Sequence, residues 1–367
     1  MQEDMHYYGT YALARAAGIS AKKAQVIAYA AQYVDDSTNS DSEVHEDGGM
    51  FQTIATAHTN QEVISNAAAN HTEQRQVWVP FHFFPGNQGD SLSERLLCRK
   101  DSNLAREMVQ NHIQHSLQVQ DSYALPLLGI MAHVYADTFS HYGFSGVSSR
   151  RNEVDGHSFE LAVEDEKVKA YIMGKYSSFL TKYAPSFILR NFRNLVSKGA
   201  SAVTGALGHG AVGTYPDRPF LKWRFRYQSE DNLAEWRDNP QTFLEGCEKL
   251  YQAFNQYAKA ADIAADAQGF SAIKQAIEEV LRRELAMQDR VAAWIELMES
   301  GKLFKFEEGE LVHYSKNYWE EQKDNFEALQ TSSEMAKLAV YNFHQAAIYH
   351  RDYTLKQLLP KHGIVVL

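Results

Sequence analysis

Three side chains able to bind a metal recur at fixed spacing in Met131-Ala-His133-Val-Tyr-Ala-Asp137-Thr-Phe-Ser-His141-Tyr142. On a helix, residues four apart lie about 40° apart around the axis and roughly 6 Å along it, so His133, Asp137 and His141 share one face. Two imidazoles flanking a carboxylate that can bridge metals form a ligand ladder for more than one Zn2+. The competing reading is the wet stripe of an amphipathic helix. Leu127, Leu128, Ile130, Met131, Val134, Tyr135 and Phe139 argue against it, because they leave little polar surface. A helix apolar nearly all round is buried, and buried ionisable groups need partners.

Other residues have related chemistry. Asp35 and Asp36 close a helix that starts at Ser20. Carboxylates there oppose the helix dipole at about 0.3–1 kcal/mol each, and a nearby cation reverses that sign. Either can be a ligand or a cap for the following turn. His82 sits in Trp78-Val-Pro-Phe-His82-Phe-Phe-Pro85, an aromatic run expected to be buried. A lone histidine there is more often a hydrogen-bonded core residue, but beside the other candidates it reads as a ligand. His58 ranks below it, and His45 and His71 share the same loop-rich stretch, residues 37–103. In Val154-Asp-Gly-His157-Ser-Phe-Glu160, the histidine and glutamate are three apart at what reads as a helix start. Such a pair can hold another metal or form an ordinary first turn. The Gly-rich run Gly205 to Pro219 lacks the Gly-Lys-Ser/Thr of a phosphate loop, and its length suits a loop flanking a site.

These residues need elements to position them. The pattern predicts a helix over 4–17 stopped by Gly18, a second from Ser20 to about Val34, and a third over 101–123 capped by Asp101 or Ser102. Pro126 starts or kinks the ladder helix. Helical periodicity returns at about 230–262, 270–300 and 325–358, with a small hairpin turning at Glu308-Gly309. Trp223-Arg-Phe-Arg-Tyr227 fits an edge strand or a lipid-facing surface equally well. The fold class is all-α, mainly helical, with residues 1–228 carrying the candidate site and a helical region over 229–367 packed on it.

Composition narrows the functions. The chain has 367 residues, 44% hydrophobic, enough for a large core. A net charge of −10 disfavours a nucleic-acid binder working through counterion release, but not an enzyme whose metals contact phosphate. Two cysteines make no disulfide framework, and the fifteen histidines are the likelier ligands. No apolar run reaches the ~18 residues of a membrane span. Met-Gln-Glu-Asp-Met-His lacks the regions of a cleavable signal. The expectation is a soluble protein, cytoplasmic or exported by another route.

These motifs resemble the zinc-dependent phospholipase C superfamily, whose helical fold is shared with certain single-strand nucleases. The whole chain looks like its Gram-negative bacterial, phosphatidylcholine-hydrolysing branch. The run His6-Tyr-Tyr-Gly-Thr-Tyr-Ala-Leu-Ala-Arg-Ala-Ala-Gly18, with Gln32-Tyr-Val-Asp-Asp36, carries much of the likeness, which at superfamily level covers about residues 1–200. The resemblance implies three clustered zincs. It implies ligands at His6, at Asp35 or Asp36, at His82, and at His133 and Asp137, with the aspartate bridging two metals. It places further ligands at His141 and at a final pair, His157 with Glu160. Two spacings depart from the family pattern: His141 lies four residues after Asp137 rather than six, and the final pair is separated by three rather than four. Secreted members also use a free N-terminal amine, a place that falls here to Met1 or Asp4.

The implied activity is cleavage of phosphatidylcholine-type phospholipids to diacylglycerol and a phosphorylated head group, with transient membrane-surface contact and no stable nucleic-acid partner. Zinc would neutralise phosphate oxygens and bring the pKa of bound water toward ~7. Whichever of Asp35 and Asp36 is less engaged would serve as base, beside Asp137. Tyr7, Tyr8, Phe81, Phe83 and Tyr142 could cradle a choline by cation–π contact or simply be core. The alternatives are a single-strand nuclease or phosphatase on the same fold, and a non-catalytic metal-stabilised interaction protein.

Overall fold

The computed structural model describes residues 1–58, 74–119, 122–183, 207–264 and 267–366. His71, and the start of the Gly-rich run including Gly205, lie outside them. The fold is mainly helical, with sheets of two and three strands. No described helix is long and apolar enough to cross a membrane.

The chain opens with a π-helical turn, Asp4–Gly9, that continues as α1 (Thr10–Ala16). Gly18, at φ +91°, supplies the left-handed residue that ends it. Helix α2 (Ala21–Asp36) is alanine-rich, and α3 (Asn103–Gln118) is capped by Ser102, whose hydroxyl accepts from the Ala105 N–H. Helix α4 (Ala124–Ser140) is the ladder helix, and every side chain but Leu125 is buried. Pro126 lies in its first turn, where a missing N–H costs no helical hydrogen bond. His141 is the C-cap of α4 rather than part of its body.

Helix α2 packs on α4 more extensively than any other described helix pair. Gly129 permits this approach, because a Cβ there would sit 2.3 Å from the Ile27 carbonyl oxygen and 2.6 Å from Ala30 Cβ. The contact sets the end of α2, with Asp35, beside the His133–Asp137 face of α4. Around α4 lie α3, α6 (Asn239–Ala260) and α9 (Ala339–Tyr353), while α5 (Glu166–Tyr183) stands apart and α7 (Phe270–Leu281) and α8 (Met287–Glu299) follow α6. One continuous apolar core runs from Met5 to Val366, so the chain on both sides of residue 228 shares it.

Three expectations about local structure are corrected. His157 and Glu160 do not open a helix: residues 156–157 form a turn, and Glu160 begins strand β3. With hairpin β1 (Ser42–Val44) and β2 (Met50–Gln52) numbered first, β3 (Glu160–Ala162), β4 (Lys222–Arg224) and β5 (Arg237–Asp238) form an antiparallel sheet in that order. Trp223 therefore lies on the central strand, paired with Leu161 and Arg237, and it and Phe225 are buried in a second small core with Phe83 and Phe144. Its alternation reflects burial on one face rather than a lipid surface. Residues 303–314 form no hairpin, although Gly309 turns there at φ +80°. The backbone beyond that turn pairs with tyrosines of the first two helices: Tyr7 donates to the Val312 carbonyl, Tyr29 to that of Ser315, and Tyr8 meets His313 Nδ1 at 3.3 Å.

Candidate metal centre

The α2–α4 contact and two loops bring a set of histidines and aspartates together around Asp137. Asp137 is 1% exposed, and its two oxygens face different neighbours. Oδ2 lies 3.3 Å from His133 Nε2 and 3.7 Å from His82 Nδ1. These two nitrogens are 3.3 Å apart, and Asp35 Oδ1 stands 3.8 Å from one and 3.9 Å from the other. Oδ1 of Asp137 lies 3.3 Å from His6 Nε2 and 2.5 Å from the Met1 amine. The amine in turn is 3.4 Å from Asp217 Oδ1 and 3.5 Å from His141 Nε2. Asp217 Oδ1 lies 3.1 Å from His141 Nε2 and 3.7 Å from His209 Nε2. Three donor groups can each hold an ion: His6–His133–Asp137, Asp35–His82–His133 and His141–His209–Asp217. Four donors about 2.0–2.1 Å from one zinc stand about 3.3 Å from each other, close to the spacings found.

Hydrogen bonds fix which ring nitrogen faces the cluster. At 2.8 Å, His133 Nδ1 donates to the Ala31 carbonyl, His82 Nε2 to that of Thr56, His141 Nδ1 to that of His82 and His209 Nδ1 to that of Gly213. Each opposite nitrogen then offers a bare lone pair, the arrangement that orients a metal-ligating imidazole. His6 is 1% exposed, yet neither ring nitrogen makes a hydrogen bond. Asp137 Oδ2 also has none. Buried polar atoms without partners are costly, and a metal ion could satisfy His6 Nε2 on the Oδ1 side of Asp137 and Oδ2 on the other. The donor set, imidazole and carboxylate without thiolate, fits zinc.

The electrostatics fit as well. Burial alone would raise the Asp137 carboxyl, but His141, the amine, His133 and His6 hold it well below the usual carboxylate range. Asp217 is likewise depressed against its burial by His209, the amine and His141. Burial and the neighbouring His133 and amine keep His6 neutral, far below its ordinary pKa, and burial brings His209 down to about 4. Burial opposes the charge of the Met1 amine, but Asp137, Asp217 and Asp35 raise it to about 10. Asp35 is the most open member, with 33% of its side chain exposed. Partial desolvation raises its carboxyl against the pull of His133 and His82.

Of the residues expected from the sequence, His6, Asp35, His82, His133, Asp137 and His141 converge. Asp36 does not: its Oδ2 accepts from Tyr314 at 2.6 Å and from Gln32 at 3.2 Å, one residue round the helix from the cluster. His157 is exposed, and Glu160 is bound by Arg224 at 2.6 Å across the β3–β4 pair. Asp4 is held by Arg290 at 2.7 Å, so the Met1 amine rather than Asp4 lies in the cluster. The residues that stand where the final pair was expected are His209 and Asp217. Their one sequence signal was the Gly-rich loop that carries them. His58 packs near Trp78 and belongs to none of the three donor groups. The aromatic cage is not assembled. Tyr7 and Tyr8 turn toward residues 312–314, Phe81 packs on His350, and Tyr142 lies under Arg237. Only Phe83 touches the cluster, stacked on His141.

A family model described as a family of unknown function (DUF6765) matches residues 1–358, and the chain belongs to that family. No curated protein and no solved structure matches it.

Proposed function

We propose that this member of the DUF6765 family is a zinc-dependent phosphodiester hydrolase, and that it acts as a phospholipase C on phosphatidylcholine-type lipids. The observation that carries the reading is the placement of Asp137, whose Oδ2 faces His133, His82 and the His141 ring while its Oδ1 faces His6 and the Met1 amine. His82, His133 and Asp35 would hold one ion with Asp137 Oδ2. His141, His209 and Asp217 would hold another near Oδ1. His6 would hold a third beside Asp137 Oδ1. Zinc bound there would supply charge neutralisation at phosphorus and a more acidic water.

The chain's own residues would do the rest. The carbonyls of Ala31, Thr56, His82 and Gly213 hold each ring in its tautomer. Asp35 is the group open to solvent at the cluster, and its Oδ2 is placed to accept the proton of the attacking water. A purely structural zinc is closed by four protein ligands and shares none of them. A shared Asp137 and an exposed Asp35 favour a polynuclear, open centre. The choice of a phospholipid rests on the sequence resemblance.

The test is to purify the protein, count metals by elemental analysis, and assay phosphatidylcholine and single-stranded DNA side by side. About three zincs with release of diacylglycerol is the expected result, and Asp137→Asn should lose both metal and turnover. DNA cleavage alone would replace the lipid by a nucleic acid. One zinc and no turnover, or an active Asp137→Asn, would overturn the proposal.

A further inference from the structure

The turn that delivers Asp217 to the cluster also delivers Arg218. That turn is rigid, because Asn239 Nδ2 donates to the carbonyls of both Tyr215 and Arg218 at 2.8 Å. Arg218 is 4% exposed. Among the described residues its one hydrogen bond to a side chain runs from Nη2 to the Thr214 hydroxyl at 3.1 Å, and its buried Nε has no partner. The guanidinium lies over the half-exposed ring of Tyr171 at 5.6 Å. Among the described residues, Asp217 is committed to His141 and His209, and Asp4 to Arg290. Arg290 is itself close enough to disfavour the charge on Arg218, after burial. Its own guanidinium is satisfied by Asp4, Gln2 and the Leu285 carbonyl. A buried guanidinium keeps its charge, and an unmatched one is costly without an anion. Here it follows Asp217 in the same turn, close enough for the Asp217 carboxylate to act on its charge.

We propose that Arg218 forms an anion subsite beside the metal cluster, binding a phosphoryl oxygen of the bound ligand through its unpartnered guanidinium edge. This deepens the phosphodiester reading and rests on it for the identity of the ligand. The shared chemistry is a phosphoryl group, either on the substrate or as free phosphate. An arginine fork suits its oxygens better than any other side chain.

The experiment measures inorganic phosphate affinity by titration calorimetry on zinc-loaded protein, wild type against Arg218→Gln, with zinc content checked in both. Removing a charge-assisted hydrogen bond should weaken phosphate at least about tenfold while the zinc count stays the same. The KM for bis(p-nitrophenyl) phosphate is read in parallel. A matching rise assigns the subsite to bound substrate, and a loss of phosphate affinity alone assigns it to free phosphate; both support an anion subsite. Equal phosphate affinity in the two proteins, or no phosphate binding by the wild type, would overturn it. Should Arg218→Gln fail to fold, Arg218→Lys and a crystal of the wild type grown with phosphate decide. A phosphate oxygen within hydrogen-bond distance of the guanidinium supports the subsite, and an empty guanidinium edge refutes it. The phosphate titration and the crystal do not depend on turnover, so a missing hydrolase activity would be seen separately, in the KM arm alone.

Discussion

Asp217→Asn separates the ligand set of the structure from the one written in the helix pattern. Asp217 is 5% exposed, and its Oδ1 stands 3.1 Å from His141 Nε2 and 3.7 Å from His209 Nε2. His141, His209 and the amine hold the carboxyl ionised against its burial. The asparagine keeps the shape and removes the charge. Stripping one partner from a buried charged set costs about 3–5 kcal/mol. At about 1.4 kcal/mol per decade, that is roughly two to four decades of zinc affinity at this position. The assay is elemental analysis after dialysis against a zinc buffer set near the wild-type dissociation range. Asp217→Asn should lose one zinc equivalent. His157→Ala should keep the wild-type count, because His157 is exposed and its neighbour Glu160 is already bound by Arg224. A full zinc complement in Asp217→Asn, or a lost equivalent in His157→Ala, would refute the assignment of the third donor group.

Other outcomes follow from the same geometry. Asp35→Asn should lower zinc content and abolish turnover, whereas Asp36→Asn, at a carboxylate bonded to Tyr314, should keep its zinc and change turnover by no more than about twofold; zinc titration of both variants checks this. Gly129→Ala places a Cβ 2.3 Å from the Ile27 carbonyl oxygen, and overpacking of this kind costs about 1–3 kcal/mol, read by urea denaturation, with weaker zinc binding as α2 and α4 part. His350, buried and donating to the Pro80 carbonyl, is lowered by burial to about 4, so it stays neutral in the fold while the unfolded chain protonates near 6.5. Its contribution is complete above pH 6.5 and falls as pH drops toward 4. Stability of the metal-free protein should therefore drop by about 2 kcal/mol at pH 5 from this group, and His350→Gln should remove that part of the pH dependence in denaturant titrations. An unchanged pH slope in the variant would refute it.

Where the sequence revealed the site, it did so through local conflict with burial. His133 and Asp137 stand out because a helix otherwise apolar has no reason to carry them, and His82 stands out in an aromatic run for the same cause. Asp35 and Asp36 could not be separated, since the choice depends on a rotation of about 100° around α2 and on the distant Tyr314. His6 entered through resemblance alone. His209 and Asp217 follow no period, because they lie on a loop and reach the cluster only after β4 and α6 have packed. Asn239, at the start of α6, holds that loop through the carbonyls of Tyr215 and Arg218. The sheet was missed for a related reason: its strands are two or three residues long, and the pairing of Leu161 with Trp223 joins segments some sixty residues apart. Helical periodicity, by contrast, is written within a few turns, and α1 to α4 fall close to where it placed them.

The ladder also works differently from a row of three on one helix face. His133 and Asp137 obey that geometry. His141 closes the row as the C-cap of α4: its N–H bonds the Asp137 carbonyl at 2.8 Å, and its Nδ1 lies 3.4 Å from Asp137 Oδ2. From there its ring directs Nδ1 to the His82 carbonyl and Nε2 to Asp217. The row therefore splits. His133 serves the Asp35–His82 side, His141 serves the His209–Asp217 side, and Asp137 stands between, its Oδ2 3.3 Å from His133 Nε2 and its Oδ1 on the Met1 amine that also meets Asp217.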